Sequence, residues 1–280
     1  MGNLYGVIGS PIKHSMSPDI HNDAFKEMNL DGYYHAFHVE PNHLKDSVHA
    51  LKVLGVKGFN VTIPHKVNII PFLDELDETA KIVGAVNTVV NEEGRLIGHN
   101  TDGNGYIESL TNVLKKPLQD NRMLIIGAGG AAKGIYYTLA YQGCMDIDLC
   151  NRTVAKAEEL IKQCPYENNS SARSIEMAEL NLKNYDIIIQ TTAVGMHPNI
   201  TDTPLSLKNA KPSAIVSDIV YNPIKTTFLK EAEELGLTIL EGVGMFVYQA
   251  VLAFELWTKQ KPSAKRMSSI VYDKLGGTQC

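Results

Sequence analysis

The feature that most limits what this chain can become is the stretch Arg122 to Ala132, RMLIIGAGGAA. Met123 to Ile126 is an unbroken apolar run, as a parallel strand covered on both faces requires. Gly127, Gly129 and Ala132 follow at the G-x-G-x-x-G/A spacing of a dinucleotide-binding turn. Each position answers a separate demand. Gly127 permits the tight turn, Gly129 lets backbone approach a pyrophosphate, and the small Ala132 lets the new helix pack closely on its strand. The helix that opens here offers unpaired N–H groups and a positive dipole end. An ordinary glycine-rich turn would also fit these residues; the flanking strand and helix patterns favour a cofactor site.

The helix pattern Ala131 to Gln142 leads through Gly143 into a second strand, Met145 to Cys150, which ends in Asn151-Arg152-Thr153. An acidic residue there would accept from an adenosine ribose hydroxyl and repel a 2′-phosphate. Arg152 instead presents a permanently charged planar fork, so NADP is expected in preference to NAD. Thr153 is a candidate N-cap, and Lys156 follows within a turn. Asp148 falls inside the strand, short of the terminal position. The competing view makes Arg152 a solvated strand-end charge.

At 280 residues the chain can bury two cores. Its 44% hydrophobic and 20% charged content is that of a soluble globular protein. A net charge of −5 argues against nonspecific nucleic-acid binding and means that an anionic substrate must be drawn by local donors. No apolar run approaches the roughly 20 residues of a membrane helix, and the first residues lack a signal-peptide layout. The four cysteines show no metal-ligand spacing, so reduced thiols, a cytoplasmic location and no metal are expected. A monomer is favoured over a homodimer, because no surplus apolar helix is evident.

Along the chain, Leu4 to Gly9 reads as a strand, followed by SPIKHSMSP. Ser17-Pro18 reads as an N-cap and first helical proline; Ser15 has no evident capping task, and with Ser17 it could hold a carboxylate. Tyr33 to Val39 is a second strand, Pro41 to Leu54 a helix with Leu44, Val48, Leu51 and Val53 inward, and Gly58 to Val61 a third strand. It runs into Asn60-Val61-Thr62-Ile63-Pro64-His65-Lys66, where Asn60 and Thr62 share one side. A helix is expected to begin near His65 or Lys66 and to continue from Phe72 to Val83. A lysine in a helix's first turn opposes the dipole, which singles out Lys66, whereas His65 reads as structural. Gly84 to Val90 returns as a strand carrying the polar Asn87, and a turn at Asn91 to Gly94 brings Arg95 to Gly98 back antiparallel, giving a mixed sheet. Asp102, in His99-Asn100-Thr101-Asp102-Gly103, reads as a helix cap.

Beyond the nucleotide motif, Thr191 and Thr192 end a strand, and Asp218, Tyr221 and Asn222 lie at the end of another. Gly242 to Met245 reads as a flexible connection into a helix from Phe246 to Lys259, and Ala264 to Leu275 as a last helix. These two helices have no strand partner in a nucleotide domain and are expected to cover the first one.

Taken together, SPIKHSMSP, FNVTIPHK, GAVNTV, GHNTDG, IGAGGAAKG, NRT, VYNP and EGVGMFVYQA resemble the shikimate dehydrogenase family over essentially the whole chain. FNVTIPHK with NTDG is far more specific than the glycine fingerprint. The resemblance implies an NADP-dependent alcohol dehydrogenase that interconverts 3-dehydroshikimate and shikimate in aromatic amino-acid biosynthesis. It implies a substrate-binding α/β domain of mixed sheet, residues 1–103 completed by 243–280, and a doubly wound parallel Rossmann domain, residues 104–242, with a cleft between them. Lys66 and Asp102 would be the catalytic pair. Ser15 and Ser17 would hold the substrate carboxylate with Tyr221 near it, and Asn60, Thr62, Asn87 and Gln249 would bind ring hydroxyls. Gly127, Ala128, Gly129, Gly130 and Ala131 would meet the cofactor phosphates, with Asn151, Arg152, Thr153 and Lys156 at the adenosine end. Thr192, Val220, Gly242 and Met245 would lie toward ribose and nicotinamide.

In such a reaction Lys66 can stabilise the developing alkoxide, and either it or Asp102 can carry the proton in the oxidative direction. Their protonation would be coupled, which leaves the assignment open. Closure about hinges near Gly103 and Gly242 would exclude water. A broader quinate/shikimate dehydrogenase using NAD is the nearest alternative, disfavoured by Asn151-Arg152. A nucleotide-binding sensor without turnover is a second, disfavoured because Lys66 and Asp102 are both present.

Overall fold

The apolar runs form two six-stranded sheets, one in each of two units of a computed structural model that describes residues 2–276. One unit runs to Thr101 and takes in Val247–Lys274; the other is Asp102–Phe246. The sequence reading set these divisions after residues 103 and 242.

The first unit comprises β1 (Asn3–Gly9), α1 (Ser17–Glu27), β2 (Gly32–His38), α2 (Leu44–Val53), β3 (Gly58–Val61), β4 (Glu75–Leu76), α3 (Glu78–Val83), β5 (Thr88–Glu92) and β6 (Arg95–His99). Its sheet has the order β2-β1-β3-β5-β6-β4 and is mixed: β1 is parallel to β2 and β3, while β5 runs antiparallel to β3 and β6. The helix α2 buries Leu44, Val48 and Leu51 with Ile8, Phe59 and Val61. Val53 does not join them; it is 71% exposed, one step past the buried stripe. Glu93 (φ 52°) and Gly94 (φ 91°) make the two-residue positive-φ turn that matches the twist of a hairpin.

Between Lys66 and Asp77 the expected helix is absent. The chain makes turns, a short 3₁₀ segment at Ile70–Phe72, and then β4, so only Glu78–Val83 is α-helical. Pro71 removes a helical donor. Tertiary partners claim the rest: Asp74 N–H donates to Leu96 O (3.0 Å) and Asp77 N–H to Gly98 O (2.9 Å), so β4 covers the free edge of β6. Asp77 then caps α3 by accepting from Ala80 N–H (2.9 Å).

The second unit comprises α4 (Asp102–Thr111), β7 (Met123–Ile126), α5 (Gly130–Tyr141), β8 (Ile147–Cys150), α6 (Val154–Lys162), β9 (Ala172–Arg173), α7 (Ile175–Asn181), β10 (Ile187–Gln190), β11 (Ile215–Asp218), α8 (Thr227–Glu234) and β12 (Thr238–Leu240). Every pairing is parallel, in the order β12-β11-β10-β7-β8-β9, the doubly wound arrangement with its switch point between β7 and β10. β7, β8, β10 and β11 are buried along their whole length, as strands covered on both faces must be.

Two helices close the chain, α9 (Gly242–Thr258) and α10 (Ala264–Leu275). Within the first unit, Trp257 Nε1 donates to Val89 O (3.0 Å), and Phe254 packs on Phe25 with ring centroids 4.7 Å apart. A Cβ on Gly58 would lie 2.2 Å from Trp257 Nε1, so this glycine makes room for the returning helix. No helix among the described residues is long and apolar enough to cross a membrane.

Candidate functional site

Strand direction gathers the polar islands of the first unit. Parallel β1 and β3 end on the same side of the sheet; β5, antiparallel to β3, begins there, and β6 ends there. The loops carrying Ser15 and Ser17, Thr62 to Lys66, Asn87, and Asn100 to Thr101 therefore leave one end of one sheet, where ligands of α/β sheets bind. Gly9 allows the first two loops to touch: a Cβ there would sit 2.5 Å from Thr62 Cγ2.

Ser15 does have a capping task, since its Oγ accepts from Ser17 N–H (3.3 Å). Ser17 is the first residue of α1 rather than its N-cap; Met16 holds that position and makes no side-chain cap bond. Thr62 and Lys66 are half-buried, and the Lys66 carbonyl accepts from Val86 N–H (2.7 Å), which ties this loop to the strand that follows. His65 is structural: fully buried, it bonds through Nε2 to Val39 O at 2.7 Å.

Asn60, Asn87 and Thr101 share one buried network. Asn60 Nδ2 donates to Asn87 O (3.1 Å) and Thr88 Oγ1 (3.0 Å), and its Oδ1 accepts from the Tyr34 hydroxyl (2.7 Å). Asn87 Oδ1 accepts from Thr101 N–H (2.8 Å), and its Nδ2 donates to Thr101 Oγ1 (2.9 Å). The peptide leading into Asp102, first residue of α4, is thus fixed from within the first unit. Gln249 is half-buried on the part of α9 that belongs to this unit.

In the second unit the glycine turn has the geometry the motif predicts. Gly127 takes φ 116°, and a Cβ there would lie 2.7 Å from Thr191 Oγ1, across the switch point. Ala132 is fully buried under α5. Gly129 and Gly130 differ: both are exposed, and an added Cβ would meet no atom within 4 Å. Nothing in the protein's own packing explains them, whereas a phosphate at the N-terminus of the 12-residue α5 would occupy that space. Ala128 and Ala131, on either side of this pair in the chain, are half-buried.

At the end of β8, Arg152, Thr153 and Lys156 are exposed, and Arg152 and Lys156 form no ion pair among the described residues. Asn151 Nδ2 donates to Thr153 O (2.9 Å). Asp148 is committed inward, accepting from Ser171 N–H (2.9 Å), Arg173 Nε (2.9 Å) and Tyr185 Oη (2.7 Å). This donor set, a fork and an ammonium with Asp148 turned away, fits a 2′-phosphate.

The Thr191–Gly195 turn is clamped by buried Gln190, whose Oε1 accepts from Thr192 N–H (2.8 Å) and whose Nε2 donates to Val194 O (3.0 Å). At the end of β11, Asp218 Oδ1 accepts from Val220 N–H (2.9 Å) and Oδ2 from the Thr226 hydroxyl (2.8 Å). Burial pushes the Asp218 carboxyl up to about 6, with these two bonds opposing it. The Tyr221 ring lies 4.9 Å from that of Phe246, and burial raises its phenol.

The expected flexible segment Gly242 to Met245 is the first turn of α9. A Cβ on Gly242 would be 2.5 Å from the Ile219 and Val220 carbonyls, one on Gly244 would be 1.9 Å from Ser109 Oγ, and one on Gly103 would be 2.0 Å from Thr138 Oγ1. These glycines serve close packing, so their presence is no evidence of hinges. Sequence reasoning passed over Tyr34, Thr88 and Gln190, because one polar residue on an alternating or buried strand carries no local signal of what it will face.

Three family models match the chain in order: the shikimate dehydrogenase substrate binding domain over residues 7–89, shikimate/quinate 5-dehydrogenase over 109–221, and the shikimate 5′-dehydrogenase C-terminal domain over 242–271. The chain is 55% identical, over the full length of both, to the NADP(+) shikimate dehydrogenase of Bacillus subtilis strain 168. It is similar to a crystal structure of a shikimate dehydrogenase in complex with NADP+, at 39% identity and TM-score 0.90, covering 99% of this chain and 96% of that one. It is also similar to the shikimate 5-dehydrogenase of Listeria monocytogenes in complex with shikimate and NAD, at 38% identity and TM-score 0.91, covering 97% and 96%.

Proposed function

The chain belongs to the shikimate dehydrogenase family, and from that premise we propose that it carries out the reversible, NADP-dependent reduction of 3-dehydroshikimate to shikimate in aromatic amino-acid biosynthesis. The observation that carries the site is the convergence, at one end of the first unit's sheet, of two serines, a threonine, a lysine, an asparagine and the peptide leading into an aspartate. Such a set offers hydroxyl donors for a carboxylate, amide and hydroxyl groups for ring hydroxyls, and a cation for developing negative charge.

Ser15 and Ser17 take the carboxylate, with Tyr221 near it, and Thr62, Asn87 and Gln249 take ring hydroxyls. Asn60 has both amide hydrogens engaged within the protein, so toward substrate it offers only a carbonyl lone pair. Lys66 and Asp102 are the catalytic pair: the ammonium stabilises the oxygen that gains charge, and the pair exchanges its proton. Bound NADP supplies the hydride at C4 of its nicotinamide. Gly127 to Ala131 receive its pyrophosphate, Asn151, Arg152, Thr153 and Lys156 its adenosine end, and Thr192, Val220, Gly242 and Met245 flank the rest. The substrate domain is the first unit and the NADP domain the second. We read the protein as a monomer of the cytoplasm; the unpaired, buried thiols of Cys144 and Cys150 support a reducing compartment.

The test follows NADPH absorbance with shikimate and with quinate, each supplied with NADP and with NAD. Turnover is expected with shikimate and NADP and to be slow in the other pairings. K66A and D102N should each lose about 10²- to 10⁴-fold in kcat. Comparable rates with quinate and NAD would move the chain to the broader specificity, and wild-type rates in either variant would remove that residue from the pair.

A further inference from the structure

We infer that Tyr34 is a positioning residue for the substrate site: its hydroxyl anchors the outer end of a buried hydrogen-bond chain, Tyr34–Asn60–Thr88–Asn87–Thr101, on which the presentation of Asn87 and of the peptide leading into Asp102 depends. The inference rests on the substrate role proposed for Asn87.

Tyr34 is on β2, two strands away from β3, and is fully buried. Its ring is stacked on His21 at 4.4 Å and 15°, with Trp257 6.0 Å away, so the hydroxyl has a fixed address. His21 is itself fully buried, and that burial pushes its imidazole down to about 3, so it acts as a neutral plate. Burial likewise pushes the Tyr34 phenol well above its ordinary range, which keeps it a donor at neutral pH.

The phenol gives its proton to Asn60 Oδ1 at 2.7 Å, and the Asn60 nitrogen donates to Asn87 O and Thr88 Oγ1. Having received that bond, the Thr88 hydroxyl donates onward to Asn87 Oδ1 (3.0 Å). Asn87 Oδ1 also takes Thr101 N–H (2.8 Å), and its nitrogen donates to Thr101 Oγ1 (2.9 Å). The bonds interlock, because Thr101 N–H donates back to Asn87 Oδ1 while the Asn87 nitrogen donates to Thr101 Oγ1. Two backbone groups orient the amides: Asn87 O can only accept, which turns the Asn60 nitrogen toward it, and Thr101 N–H can only donate, which turns the Asn87 oxygen toward it. The phenol completes the set by satisfying Asn60 Oδ1, a buried acceptor that phenylalanine would leave without this donor.

The experiment compares the full-length parent with Y34F, T88A and T88S. It measures KM for shikimate and for NADP, and the hydrogen exchange of the Asn60 and Asn87 side-chain amides by NMR. In Y34F and T88A the KM for shikimate should rise roughly tenfold, the cost of a buried hydrogen-bonding group left without its partner, with the KM for NADP unchanged. Asn87 amide protection should fall in both, while T88S, which keeps the hydroxyl, should match the parent. An unchanged KM for shikimate, or equal rises in both KM values, would overturn the inference. A parent that does not turn over shikimate would sink the functional reading; retained Asn87 protection in Y34F would then overturn the chain on its own.

Discussion

Replacing Gly129 by alanine separates cofactor geometry from folding. Its φ of −94° and ψ of −171° lie in extended space open to any residue, and the new Cβ would meet no protein atom within 4 Å. By the chain-entropy argument the apo protein should gain about 0.4–1 kcal/mol, because alanine restricts the unfolded state. The same methyl would stand where a pyrophosphate must approach the first turn of α5. Losing one charge-assisted bond costs about 1.5–3 kcal/mol, so NADP affinity should fall roughly ten- to a hundredfold. Gly127 is the control: at φ 116°, with a Cβ 2.7 Å from Thr191 Oγ1, G127A should lose about 1–3 kcal/mol of stability. Urea unfolding of the apo proteins and calorimetric titration with NADP measure the two quantities. If G129A unfolds as early as G127A, or binds NADP as tightly as the parent, the phosphate reading of this turn is wrong.

Arg152→Ala should raise the KM for NADP about tenfold and leave that for NAD unchanged, since only the former carries the phosphate; equal changes in steady-state assays would refute it. Asp218 should leave a signature in the pH dependence of stability. Because its folded carboxyl is raised from 3.8 to about 6, the folded chain holds the proton more tightly than the unfolded one, and stability is lost as pH rises through that window. That difference corresponds to a change on the order of 2–3 kcal/mol. Relative to D218N, the parent should therefore weaken between those values and run parallel above them, as read by urea unfolding at a series of pH values; a constant difference throughout would exclude this account.

What the sequence determined alone was whatever local sterics and short-range chemistry enforce. The strand, Gly127 and small Ala132 make one kind of turn wherever they occur, and Arg152 bears its charge whatever surrounds it. The alternation around Asn91 to Gly94 likewise made the hairpin, and so the mixed sheet, legible. The tertiary structure decided what depended on distant partners. Val67 to Asp77 has a helical pattern, yet the open edge of β6 and Pro71 draw it into turns and a strand. Gly242 and Gly244 read as flexibility until the Ile219 and Val220 carbonyls and the Ser109 hydroxyl are placed against them. Ser17 reads as the cap of α1 until the backbone puts Met16 in that position and makes Ser17 the first helical residue. That the Asn60 amide hydrogens go to Thr88 and Asn87 is likewise invisible until β3 is paired with β5. A side chain's type is local information, but the direction in which it spends its hydrogen bonds is fixed by residues that only the fold brings within 3 Å or so of it.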